Sequence, residues 1–141
     1  MQLFDTHCHY NLEPLLSNWQ KLWRDSQQAG INKSLIFGTP LSTSQLAVEQ
    51  ASSDQQLFAS LGVHPSHVDQ AVDLKQTKSE LQKMTANKQV KAIGEVGLDY
   101  YHLPANQNQQ TIKNEQKQLF CAMIDLAKTA NLPLILHVRD R

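Results

Sequence analysis

Short apolar runs alternate with longer amphipathic stretches along all 141 residues, and this alternation limits the possible folds more than any other feature. The candidate strands are 2–9 (QLFDTHCH), 33–38 (KSLIFG), 57–63 (LFASLGV), 90–97 (VKAIGEVG) and 132–138 (LPLILHV). Between the first two, Leu12, Leu15, Leu16, Trp19, Leu22 and Trp23 recur at helical spacing, with Asn11 placed to cap the start and Gly30 to close the end. Further helices are expected over 41–53, 74–87 and 110–130. The last has Ile112, Leu119, Phe120, Met123, Ile124 and Ala127 on one face. The stretch 102–110 (HLPANQNQQ) reads as a mobile, solvated loop. Strand, helix, strand, helix implies parallel strands joined by right-handed crossovers. Length by itself favours an open, doubly wound sheet of five strands, since a (β/α)8 barrel typically takes ~250 residues.

No linker, repeat or low-complexity tract divides the chain, so residues 1–141 are read as a single domain. Thirteen basic residues balance thirteen acidic ones, and neither sign runs in a block. A protein that coats nucleic acid or a membrane surface through excess Lys and Arg is thereby excluded, and a polyanionic substrate must be held locally. Cys8 and Cys121 lie far apart and form no CxxC pair, which argues for reduced thiols rather than a disulfide framework or zinc ribbon. With no basic leader and no apolar run of membrane length, the chain is expected to be soluble and cytoplasmic, with no membrane or protein partner.

The strand ends carry the chemistry. Side chains alternate along a strand, so His7 and His9 point to one face and Cys8 to the other. Imidazoles at i and i+2 can reach one divalent cation, and Asp5 on the same face can orient a ring nitrogen. An isolated HxH serves equally well as a hydrogen-bonded core pair. The other strand ends shift that balance: GVHP leaves His64 at a tip, GEVGLDYY carries Glu95 with Asp99 in the following loop, and LHVRD carries His137 and Arg139. Parallel α/β proteins build their sites beyond these carboxyl ends. A carboxylate among imidazoles can bridge two cations ~3.5 to 4 Å apart, a device for phosphate-ester hydrolysis. Gly94 and Gly97 beside Glu95 imply a close backbone or ligand approach, and a glycine within a strand equally marks a bulge.

Taken together, FDTHCH, GVHP, GEVGLDYY and LAKTANLPLILHVRD resemble the TatD-like metal-dependent deoxyribonucleases of the amidohydrolase superfamily, from Leu3 to Asp140. The resemblance implies a TIM-type (β/α)8 barrel, here incomplete at about five parallel strands. It implies two divalent metal ions (Zn, Mn or Mg), with His7 and His9 holding one, Glu95 bridging as the catalytic carboxylate, and His137 holding the second. It further implies hydrolysis of DNA, at ends or in single strands, by a metal-activated water. His64, Asp99 and Arg139 are then the expected substrate contacts, Arg139 through its fork-shaped guanidinium. The family pattern continues with a further strand histidine and a late aspartate, so a chain stopping at Arg141 is expected to be an N-terminal portion with little turnover of its own and exposed strand edges. Two alternatives stay open. One is an amidohydrolase-type esterase or lactonase, of which several use a carboxylated lysine where Glu95 stands here. The other is an inactive, truncated metal-binding fragment.

Overall fold

The computed structural model describes residues 2–68, 73–105 and 107–140. Five strands form one sheet: β1 (Leu3–Cys8), β2 (Ile31–Phe37), β3 (Leu57–Leu61), β4 (Val90–Asp99) and β5 (Leu134–Arg139). All neighbours are parallel and the spatial order is the chain order, β1-β2-β3-β4-β5. A doubly wound sheet reverses direction at a switch point. This sheet never reverses, so the open-sheet expectation from length gives way to an incomplete barrel. Crossovers of one hand between sequential strands place α1 (Trp19–Gln28), α2 (Leu41–Ser53), α3 (Leu74–Met84) and α4 (Gln109–Ala130) on the same face.

That face holds the core. Ile36, Leu57, Leu61, Ile93 and Val96 of the sheet meet Leu81, Leu119, Met123 and Leu126 of the helices, all essentially without solvent exposure. Each such side chain contributes about 1.5–3 kcal/mol relative to an exposed one. The strands at the two edges are barer: Leu3 and Phe4 on β1 and Leu136 and Val138 on β5 remain exposed.

Helix boundaries follow local chemistry. Asp73 caps α3 by accepting from the Gln76 N–H, and Asn108 caps α4 by accepting from Gln110 and Thr111. Asn131 ends α4 in the left-handed region that asparagine tolerates, and α3 stops at Met84, short of the expected residue 87. The largest difference from the sequence reading is at Asn11. The helix begins only at Trp19, after a 3₁₀ turn over Leu16–Asn18, because Pro14 lacks an N–H and restricts Glu13. Asn11 is buried instead, and its amide donates to the carbonyls of Phe37 and Thr43, both at 2.8 Å. The residues of the 102–110 stretch that are described are largely exposed; Asn106 lies outside the described residues.

Candidate metal centre

The carboxyl ends of four strands converge on one group of side chains. At the end of β1, the Nε2 atoms of His7 and His9 lie 3.2 Å apart. Between them Cys8 turns to the opposite face, where its thiol donates to the Leu35 carbonyl; burial first, and the Asp5 charge second, push that thiol up to about 12. The His7 ring stacks on Phe37 of β2 at 4.0 Å. Asp5 differs from its expected role, since its carboxylate accepts from the His7 backbone N–H rather than from a ring nitrogen. The Nδ1 of His9 is buried without a hydrogen bond of good geometry, although the Phe37 backbone is close enough to favour protonation slightly. Burial, then the neighbouring His7, lower the pKa of His9.

The β4–β5 side is tighter. A Cβ on Gly94 would stand 2.7 Å from the Cβ of Ile135, and one on Gly97, whose φ is +148°, would collide with the His137 carbonyl. Only glycine allows the two strands this approach, and the pairing also slips between Ile93 and Val96, so both of the sequence's readings of these glycines meet here. Glu95 then reaches His137, with Oε1 3.2 Å from Nδ1, while its Oε2 lies 3.8 Å from His7 Nε2. The other nitrogen of His137, Nε2, lies 3.2 Å from Asp99 Oδ2.

Asp99 closes β4 rather than lying in a loop, because pairing with β5 runs on to Asp99 opposite Arg139. It is 1% exposed and accepts from the backbone N–H groups of Tyr101 and His102 and from the His102 ring at 2.7 Å. Burial favours its neutral form, yet the hydrogen bonds from the side chain and backbone of His102 outweigh it and hold the carboxyl below its usual range. His102 was not anticipated. The signal available was a histidine three residues beyond an aspartate, a spacing that lets an aspartate fold back on its own turn.

His64 follows β3, its ring 4.2 Å from that of His137. Ser66 engages Nδ1 through both its hydroxyl and its N–H, which leaves Nε2 as the nitrogen available to a ligand. Burial, then the adjacent His137, push His64 down to about 4. Donor atoms of His64, Glu95 and His137 lie within 4.8 Å of one another. Arg139 points to a different neighbour, its guanidinium lying 4.1 Å over the Tyr101 ring.

A parallel β/α arc whose strand ends gather imidazoles around a shared carboxylate has the architecture of a metal-dependent hydrolase barrel. The comparisons with known proteins make the class specific: residues 4–141 match the TatD related DNase family, and the chain belongs to it. It is 36% identical over 143 residues to an uncharacterized metal-dependent hydrolase of Mycoplasma pneumoniae, which covers 99% of this chain and 52% of that protein. It is also 36% identical over 112 residues to the 3'-5' ssDNA/RNA exonuclease TatD of Escherichia coli, covering 79% of this chain and 40% of the relative. Among solved structures, the TatD homologue YjjV of Escherichia coli superposes with a TM-score of 0.84 at 29% identity, over 98% of this chain and 51% of its own. The chain thus spans about half the length of the curated relatives it matches. Among the described residues, no helix is long and apolar enough to cross a membrane.

Proposed function

We propose that this chain carries the larger part of a two-ion centre that hydrolyses phosphodiester bonds of nucleic acid, with single-stranded DNA ends as substrate. The observation that carries the reading is Glu95, whose two oxygens face His7 on one side and His137 on the other. The donor set suits divalent ions: the Nε2 atoms of His7 and His9 converge to 3.2 Å, and the Glu95 carboxylate stands beside both His7 and His137. His7, His9 and Glu95 would hold one ion, and Glu95 and His137 a second, with the free nitrogen of His64 facing the same space. Bound there, Zn, Mn or Mg ions supply the positive charge a phosphodiester requires and bring the pKa of water into the neutral range.

The remaining steps belong to the chain itself. Asp99 Oδ2 lies 3.2 Å from His137 Nε2 and holds the ring with Nδ1 turned toward Glu95. Asp99 is therefore a positioning residue, since its oxygens are engaged by protein groups. The balanced formal charge of the chain accords with a site that draws its attraction for phosphate from ions rather than from a basic groove. The names of the exonuclease relatives support single-stranded nucleic acid as the substrate class. The test is cleavage of end-labelled single-stranded DNA with added divalent metal. The chain is expected to bind ions, and a form extended to the length of its relatives is expected to shorten the strand until a chelator is added. An extended form that binds ions yet leaves the DNA intact overturns the reading in favour of another ester.

A further inference from the structure

Beyond the ion-binding side chains, the segment after β4 presents two tyrosines, each with a cation over its ring. The Arg139 guanidinium lies 4.1 Å from the centroid of Tyr101, and Lys113 Nζ lies 4.8 Å from that of Tyr100. Tyr101 is 59% exposed, and the His102 ring meets it edge-on at 4.9 Å. A single exposed aromatic residue needs no explanation. This one is tied to the site, because Asp99 binds the Tyr101 and His102 N–H groups with Oδ1 and the rings of His102 and His137 with Oδ2. The carboxylate that orients His137 therefore also fixes the aromatic plate, and the two stay in register.

Building on the phosphodiesterase reading, we infer that Tyr101 and Arg139 form a nucleotide-binding platform, on which a base of a single strand stacks on the tyrosine while the guanidinium holds a neighbouring phosphate. Every base has a π-face, so such a plate grips single strands without regard to sequence. Arg139 is suited to the phosphate because its planar fork can lie on an aromatic ring and still donate outward. An ester substrate without a base would gain nothing from Tyr101.

Fluorescence anisotropy in Mn²⁺ compares a labelled oligothymidylate with an abasic deoxyribose-phosphate strand of equal length. Tyr101→Ala is expected to weaken oligothymidylate binding about tenfold and leave the abasic strand unchanged, while Tyr101→Phe keeps the affinity. Arg139→Ala is expected to weaken both strands alike and to lower the salt dependence by about one phosphate contact. Unchanged oligothymidylate binding by Tyr101→Ala, or equal losses on both strands, overturns the platform while leaving the phosphodiesterase reading standing. Failure of the unsubstituted chain to bind either strand overturns both.

Discussion

The two arms of the site reach the same point by different means. On the β1 arm, His7 rests on Phe37 by ring stacking, its side chain is 47% exposed, and His9 Nδ1 makes no good hydrogen bond. The strand pairing beneath slips on both arms, between Asp5 and Cys8 against β2 and between Ile93 and Val96 against β5. On the β4–β5 arm, both nitrogens of His137 face carboxylates, Asp99 is buried under its own donors, and two glycines lock the strands together. One arm is arranged in advance by carboxylates on both nitrogens of its histidine, and the other rests on ring stacking and on the contact between its own two imidazoles. Ligands supported by carboxylates bind ions in a fixed geometry, and removing the support typically costs 10–100-fold in affinity.

Glu95→Ala breaks the comparison outright, since this carboxylate faces both arms. Its expected effect is the largest, a loss of more than about a hundredfold in ion affinity, read by calorimetric titration and by metal content after dialysis. A loss no greater than that of Asp99→Ala would show that Glu95 does not serve both arms.

Asp99→Ala tests the supported arm. Two backbone N–H groups lose a buried acceptor, so about 2–3 kcal/mol of stability should go, seen as a lower urea midpoint, together with about 10–100-fold in ion affinity. An unchanged midpoint would mean that water satisfies those groups and that the arm is not arranged in advance.

The β1 arm should lose ion uptake with little change in stability. His7→Ala removes a donor and a stacked ring, so ion uptake should fall while stability changes by about 1 kcal/mol or less. A stability loss as large as that of Asp99→Ala would erase the distinction between the arms.

The smallest effect sharpens the picture within β1 itself. The Cys8 thiol is buried and pushed up to about 12, whereas Cys121 is exposed. Iodoacetamide at pH 8 should modify Cys121 alone, with Cys8 following only in denaturant. Equal rates would show that the face opposite His7 and His9 is open.

Much of this was legible in the sequence. Helix α2 lies at 41–53 as its pattern indicated, and the glycines of GEVG mark a close strand contact. Asn11 was misleading because the residue types that cap helices also satisfy buried carbonyls, and only the neighbouring β2 and α2 decide which. Asp99 was misplaced for a related reason. Where β4 ends depends on how far β5 runs beside it, and no local pattern records that.

By itself the sequence determined the order of strands and helices, and which donor types stand at each strand end. Both follow from periods of 2 and 3.6 residues, which are local properties of the backbone. Only the tertiary structure decided the distances at which His7 and His137 flank Glu95, and that Asp99 closes β4 and binds His102 and His137 together. These depend on register and curvature between segments far apart in the chain. Those are set by how closely the backbones pack, here at Gly94 and Gly97, and not by the pattern within any one segment.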